Sequence, residues 1–374
     1  MLLVTGLATD SAFGQVDFRM LTWNIETVGT PGSSQYNAAV AVLNRLGADV
    51  VAINEVANND DANSLQALAS ATGYQYVLVP SSNPFGATRN AIISKWPFTQ
   101  TTFHTSPALS GSSSANDITR WIVEAVIEPG NAGTPVHILS EHWKASTANE
   151  DEFRRAVESI RISQAIAGLD TASDYFIVCG DVNDEIDTQP NSPAIFTSVP
   201  SGVPGSFVLG PDIQAMLSSG GIPNNPFAAL GVNVTLSAIP ARQKDNSDVT
   251  RPSSGRRLDY VFVSGALLFQ GYQAEVYDSL DEALPGGLMK FGSPLAGNTC
   301  ALAADHLPVI VDLQIESSIC YPDCDENNTL NVFDYICFGN AYASQQIYAD
   351  CDGSGSFNVF DYICFGNAYA TGCP

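Results

Sequence analysis

Phe176-Ile177-Val178-Cys179-Gly180-Asp181-Val182-Asn183-Asp184 is the stretch whose reading decides the fold. An apolar run rich in β-formers stops at a glycine and then delivers an acid and an amide two residues apart. A buried strand fixes the backbone, and the first polar residues beyond it reach into a cleft lined by loops. Gly-Asp after a strand is also ordinary turn chemistry, and the stretch alone leaves both readings open.

Working outward, the same punctuation recurs. Residues 18–25 alternate as a strand and end at Asn24, followed by helical spacing from Tyr36 to Leu46 with Gly47 as C-cap. Asp49 to Glu55 is a second, mostly apolar strand whose polar residue arrives at the end. The pattern predicts a helix over 61–72, strands over 74–80, 90–96, 119–127 and 135–141, and a long helix from Glu150 to Leu169. That helix feeds the opening strand. Residues 186–255 hold nine prolines and little periodicity, as binding loops or variable excursions do. Strands return at 257–263 and 307–313. Mixed strands and helices of this kind predict sheets covered by helices in an α/β or α+β domain.

Composition sets the bounds. The chain has 374 residues, 45% of them apolar, which is enough for a large core and about two or three domains. No stretch reaches the roughly 20 consecutive apolar residues needed to span a bilayer, so no transmembrane segment is expected. Residues 1–14 read as the remnant of a secretion signal or as a disordered tail: an apolar opening and Ala12-Phe13-Gly14 favour the first, and no basic residue precedes them. Net charge is −24, from 39 acids and 15 bases. Long-range repulsion of nucleic acid follows, but salt screens it over about 8 Å, so a local basic rim of Arg89, Lys144, Arg256 and Arg257 or a bound divalent cation can overrule it.

Six of the eight cysteines, Cys320, Cys324, Cys337, Cys351, Cys364 and Cys373, fall in the last 55 residues. Such density favours disulfides and a secreted, extracellular location, and the lack of a CxxC pair or of any histidine beyond 306 disfavours zinc. Whether Cys179 pairs with Cys300 is open. The same tail is a duplication, since Asn331 to Ala343 recurs unchanged at 358–370. Each copy sets oxygen ligands at loop positions suited to Ca2+: Asp323, Asp325, Asn327, Asn331 and Asp334, then Asp350, Asp352, Ser354, Asn358 and Asp361. Thr329 and Ser356 supply the backbone carbonyls. Position six is Gly355 in the second loop and Asn328 in the first. The tail resembles the dockerin type of calcium-binding repeat, which implies two Ca2+ sites and a docking role toward a cohesin-like or cell-surface partner.

Before the tail, polar residues close several strands: Asn24, Glu55, His142, Asp181 with Asn183, Asp305 with His306, and Asp259 just inside another. Trp23-Asn24-Ile25, Ile53-Asn54-Glu55-Val56, His142-Trp143-Lys144-Ala145, Gly180-Asp181-Val182-Asn183, Leu258-Asp259-Tyr260-Val261 and Asp305-His306-Leu307-Pro308 resemble, in that order, the motifs of the endonuclease/exonuclease/phosphatase family. Ala304 departs from the serine that commonly precedes Asp-His there. The resemblance implies an α+β, four-layer α/β/β/α sandwich of two central sheets, followed by a small all-α disulfide-rich calcium module. The domains are then 1–14 as signal remnant, 15–317 as the catalytic domain and 318–374 as the dockerin-like domain.

It also implies roles. Glu55 is the principal ligand of Mg2+ or Mn2+, with Asn24 and Asp305 beside it or acting through water. Asp181 orients or deprotonates the attacking water and Asn183 holds it or a phosphate oxygen. His306 is the other acid/base or phosphate-binding group, oriented by Asp259. His142 faces the phosphate, and Arg120 is a phosphate clamp. Phosphate-ester hydrolysis needs these types because water must be activated and phosphoryl charge neutralised. His104 and His137 are left as loop or strand residues. The expected activity is a secreted phosphodiesterase, foremost a nuclease on DNA or RNA. The alternatives are a phospholipase C, sphingomyelinase or phosphomonoesterase, and a non-catalytic surface-anchored binding protein, which the full set of ligands disfavours.

Overall fold

Runs of Val, Ile, Phe and Tyr form the strands because branched and aromatic side chains fill a pleated, buried surface. The computed structural model describes residues 15–372 apart from 87, 132, 186–192, 232–235, 317–319, 326, 328 and 353, so the 1–14 segment, Asn328 and Cys373 lie outside the described residues. Fourteen strands are present among them. β1 (Gln15–Asn24), β2 (Val50–Val56), β3 (Tyr76–Leu78), β4 (Arg89–Ser94), β13 (Tyr272–Val276) and β14 (Val309–Glu316) form one sheet in the order β13-β14-β1-β2-β4-β3. β5 (Gln100–His104), β6 (Ile122–Ile127), β7 (Val136–His142), β8 (Tyr175–Asp181), β11 (Ser237–Ala238) and β12 (Asp259–Val263) form the other, ordered β11-β12-β8-β7-β6-β5. A short ribbon pairs β9 (Ile195–Phe196) with β10 (Ile222–Pro223).

Each large sheet contains a parallel pair made by a helical crossover. β1 and β2 are joined through α1 (Ser34–Leu46), and β7 and β8 through α4 (Asn149–Ala165). Parallel neighbours deliver their carboxyl ends side by side, where α/β sheets bind ligands. The two sheets face each other, with β2 and β4 against β6, β7 and β8. α2 (Asn59–Ala71) packs on β2 and β3, with α1 beside it, while Ile162 of α4 and Ile166 join Leu139, Phe176, Val178 and Tyr260 on the second sheet. The result is an α+β fold with two central mixed sheets. Leu139 and Phe176 are fully buried, and truncating either to Ala would cost roughly 2–5 kcal/mol.

The irregular 186–255 segment holds α5 (Pro211–Ser219) and α6 (Pro226–Leu230), both opened by proline after an extended residue. α3 (Ser106–Ser110), α7 (Gly265–Gln270) and α8 (Thr299–Ala303) are single turns or little more. Five strands escaped the sequence pattern: β9, β10 and β11 are two-residue pairings within the aperiodic segment, β5 carries Thr-Thr-Phe rather than a clean alternation, and β13 lies at a sheet edge with two of its five residues exposed.

The C-terminal residues from Ile315, with 130–134, cluster as a separate compact unit. α9 (Val332–Ala343) and α10 (Val359–Thr371) begin with identical capping boxes, Asn331 with Asp334 and Asn358 with Asp361, as the duplicated sequence requires. Phe338 and Phe365 stack at 4.1 Å between ring centroids and are fully buried. Disulfides join Cys324 to Cys337 and Cys351 to Cys364, the same spacing in each copy. Cys179 and Cys300 are free and buried, which settles the question of their pairing.

Candidate active site

Gly180 explains how the opening stretch reaches the site. Its φ is +147°, and a Cβ there would overlap the carbonyl oxygen of Glu141 on the neighbouring strand, so only glycine allows β8 to lie this close to β7. Asp181 is thereby placed opposite His142 across the parallel ladder and opposite Asp259 across the antiparallel one. On the other sheet the β2–β4 register slips between Ile53 and Val56, a bulge that holds Glu55 at φ 70° and turns its carboxylate to the cleft. Asn183, at φ 52°, is likewise left-handed. Such backbone outliers cluster at functional sites because the surroundings must hold them there.

The side chains converge on Asp181, which is 2% exposed. Asn24 Nδ2 donates to its Oδ2 at 3.0 Å, His142 Nε2 lies 3.5 Å from that oxygen and His306 Nε2 3.8 Å from it. Its Oδ1 accepts from the Asn183 backbone N–H at 2.9 Å. His306 Nδ1 meets Asp259 Oδ2 at 2.7 Å, the carboxylate-oriented imidazole expected from sequence. Glu55 Oε1 stands 3.7 Å from His142 Nε2, and Asp305 Oδ1 4.0 Å from His306 Nε2. Asn183 Nδ2 donates to the Trp143 carbonyl at 3.0 Å, which fixes the direction of the amide. Arg120 donates to Thr88 Oγ1 at 3.1 Å and lies near Glu55, Asp181 and Glu158.

Charge is distributed by these neighbours. Burial, then the nearby Asp259 carboxylate, pushes Asp181 up to about 7. Burial works against the His306 cation, but Asp259, Asp181 and Asp305 outweigh it and hold that imidazole up to about 9. Burial and then the Arg120 and His306 cations keep His142 well below the usual range, so it is neutral. Burial raises the Glu55 carboxyl against the pull of Arg120 and Asn24. At neutral pH the site therefore offers a titrating acid, a charged imidazole and a neutral one.

The oxygen donors Glu55, Asn24 and Asp305 suit a hard divalent cation such as Mg2+ or Mn2+. Asp305 is near enough for its charge to raise the Glu55 carboxyl. Among the described residues, Asp181, Asp259 and His306 also bring possible ligand atoms within 4.8 Å of one another.

Several positioning residues were missed in the sequence. Trp23 Nε1 donates to the His306 carbonyl at 3.0 Å. Asn54 accepts from the Asp181 N–H and donates to the Glu141 carbonyl and to Asn90, tying both sheets together beneath the site. Thr250 Oγ1 accepts from the N–H groups of Leu258 and Asp259, and its carbonyl accepts from Leu307. Asn54 stood in view within a quoted motif, whereas Thr250 sits in the aperiodic segment and gave no signal.

The expected basic rim is corrected. Arg89 is buried with its Nη1 on Asn59 and the Pro80 carbonyl, Lys144 pairs with Asp151 and Arg256 with Glu185, and Arg257 stacks on Tyr260. His104 and His137 lie on β5 and β7, within the loop-or-strand expectation, and both meet Glu124 at 2.7 Å.

Two carboxylates, two imidazoles and an amide gathered at adjoining strand ends define a hydrolase site built for charge-rich chemistry. The sequence matches the Endonuclease/Exonuclease/phosphatase family over residues 21–279, and the chain belongs to that family, whose members are metal-dependent phosphoric ester hydrolases. No curated protein matches significantly. An endonuclease/exonuclease/phosphatase from Bacteroides vulgatus is similar at 14% identity and TM-score 0.50, over 79% of this chain and 98% of that one. ANGEL2, a 2′,3′-cyclic phosphatase, is similar at 14% identity and TM-score 0.50, over 80% and 95%. Sphingomyelinase C from Streptomyces griseocarneus shows 16% identity and TM-score 0.49, over 79% and 99%. At these identities the likeness is one of fold.

Proposed function

We propose that the protein is a secreted, divalent-metal-dependent phosphodiesterase that cleaves the backbone of DNA or RNA, with the C-terminal unit as a calcium-binding docking module. The observation that carries the hydrolytic reading is the convergence of Asn24, His142 and His306 on Asp181 within 3.8 Å, with Asp259 behind His306.

The ionisation states assign the work. Asp181, titrating at about 7, accepts the proton of the attacking water. Asn183 holds that water or a phosphoryl oxygen. As the water oxygen bonds to phosphorus and the bond to the leaving oxygen breaks, charged His306 donates its proton to the departing alkoxide. Asp259 stabilises the imidazolium it faces. Neutral His142 donates a hydrogen bond to a phosphoryl oxygen, and Arg120 draws negative charge toward it. A divalent ion held by Glu55, with Asn24 and Asp305 beside it, would supply charge neutralisation at the phosphoryl oxygens.

A second reading within the family, hydrolysis of a phosphomonoester or a phospholipid headgroup, draws support from the rim bases Lys144 and Arg256, which face Asp151 and Glu185. A panel of plasmid DNA, RNA, sphingomyelin and a phosphomonoester, assayed with Mg2+ and Mn2+, tests both. Nicked plasmid or shortened RNA, abolished by a chelator, is the expected result. If those survive while sphingomyelin or the monoester is consumed, the nuclease reading fails.

For the C-terminal unit, the calcium reading rests on two three-aspartate groups, Asp323/Asp325/Asp334 and Asp350/Asp352/Asp361, whose oxygens lie within 4.8 Å of one another. Asp350 Oδ1 is buried without a hydrogen-bond partner. Asn331 and Asn358 use their side-chain oxygens to cap α9 and α10, and their amides donate to the Thr329 and Ser356 carbonyls. A cohesin-like or cell-surface partner follows from the dockerin resemblance.

A further inference from the structure

Arg251 is a cation beside the site that neither the sequence reading nor the family motifs assign. It stands at the base of a tight turn: Arg251 and Arg256 form an isolated antiparallel bridge, and the Ser254 and Gly255 N–H groups both donate to the Arg251 carbonyl. Gly255 takes φ +66°, which the turn requires. The turn is bolted to the site through fully buried Thr250, which bonds Leu258, Asp259 and Leu307. Arg251 is therefore held in register with the Asp259–His306 pair.

Its guanidinium lies on the outer oxygen of Asp305. Nε and Nη2 donate to Oδ2 at 3.1 and 3.0 Å, while Oδ1 faces His306. The side chains of this pair are 40% and 35% exposed. A half-exposed ion pair holds only weakly, so the guanidinium is free to turn to another anion. Its Nη1 makes no hydrogen bond among the described residues. On the same turn Arg256 pairs with Glu185, two residues beyond Asn183, at side-chain exposures of 32% and 36%. Arg120, by contrast, lies within the site, close to Glu55 and Asp181.

We propose that Arg251 is a substrate-binding residue that takes the phosphate next to the scissile one in a nucleic-acid strand. The inference rests on the nuclease reading above and names its subsite. A phosphate held among Asp181, His142 and His306 leaves Arg251 one carboxylate away, on the oxygen of Asp305 that faces away from His306. A strand repeats its phosphate at every nucleotide, whereas a phospholipid headgroup or a simple diester carries one. Arginine presents planar paired donors that match such an anion.

The test compares wild type, Arg251→Gln and Arg251→Lys, all shown by thermal denaturation to be folded. Binding of a fluorescent single-stranded oligonucleotide is followed by anisotropy in chelator-containing buffer across a salt series. Loss of one phosphate contact should weaken binding about tenfold in Arg251→Gln and flatten the salt slope by about one unit, with Arg251→Lys partly restored. In the presence of Mg2+, the ratio of KM for the oligonucleotide to KM for bis(p-nitrophenyl) phosphate should rise about tenfold in Arg251→Gln. An unchanged salt slope, or equal losses on both substrates, would overturn the inference. A wild-type enzyme that splits the simple diester but not the oligonucleotide would overturn it too, leaving phosphodiester hydrolysis intact. Inactivity on both would defeat the reading on which it rests.

Discussion

Asp259 is the residue on which the acid/base assignment turns. It is fully buried, its Oδ2 is 2.7 Å from His306 Nδ1, and it first raises the imidazole and then feeds the upward shift of Asp181. A base titrating at about 7 and an acid at about 9 give a bell-shaped kcat/KM profile with limbs near those values, which belong to the coupled cluster as a whole. Asp259→Asn should lower kcat by about 10² to 10⁴ and pull the alkaline limb down, as pH–rate profiles of both proteins will show. Stability follows its own sign. His306 is raised above its ordinary value of 6.5, so its stabilising contribution is complete below that pH and disappears as pH rises through about 9. His306→Ala should therefore lose activity by about 10² or more while its stability deficit narrows in alkali.

At the scale of elements, α4 does more than cover a sheet. Charged residues on a helix belong on its wet side, yet Arg154, Arg155, Glu158 and Arg161 are all buried. Arg155 holds the Lys144 and Ser146 carbonyls at 2.8 and 2.6 Å and Asp184 at 3.3 Å, while Glu158 accepts from the Thr119 and Lys144 N–H groups. One helix thus fixes the loops that carry Arg120 and Asn183 and the segment that follows His142. Removing Arg155 as Arg155→Met strands buried partners and should cost about 3–5 kcal/mol in urea denaturation, with kcat falling about 10²-fold through misplaced loops. On β5, β6 and β7, burial opposes the Glu124 carboxylate, but His104 and His137 overcome it and pull it down to about 2. Its contribution is present above the ordinary carboxylate range near 4.5 and is lost as pH falls through about 2. The stability gap between wild type and Glu124→Gln, measured with urea, should accordingly be wide at about pH 6 and shrink by about pH 3.

The same elements show what sequence can carry. Strand ends and their polar punctuation were legible because β1, β7 and β8 end at Asn24, His142 and Asp181, and Glu55 stands one residue before the end of β2. What pattern could not show is where a side chain turns. Of the four bases read as a rim, Arg89 is buried, Arg257 lies on an aromatic ring, and Lys144 and Arg256 face carboxylates, and nothing in residue type announces which partner a base will find. Arg251 and Thr250 lie in a segment without periodicity, and their roles exist only once the turn meets Asp305 and Leu307.

Across the whole molecule the balance of −24 is sharpened by pairing, because Arg19, Arg45, Lys95, Lys144, Arg154, Arg155, Arg161, Arg251, Arg256 and Lys290 each lie within 4.0 Å of a carboxylate. A polyanion is then recruited by local contacts, not by a long-range field. In the C-terminal unit, three aspartates per copy repel one another, and a divalent ion between them relieves that repulsion. Ca2+ at about a hundred times its Kd should stabilise this unit by about 2.7 kcal/mol per site, seen in calorimetry of the full chain as an upward shift of one transition. An unmoved transition would remove the calcium reading. The central claim, that this cleft hydrolyses phosphodiesters with a divalent ion, is met most directly by p-nitrophenolate release from bis(p-nitrophenyl) phosphate in Mg2+ and Mn2+. Wild type should turn over, chelation should stop it, and Glu55→Gln and Asp181→Asn should each lose about 10² or more at unchanged melting temperature. Turnover that persists in chelator, or in either variant, would contradict the account.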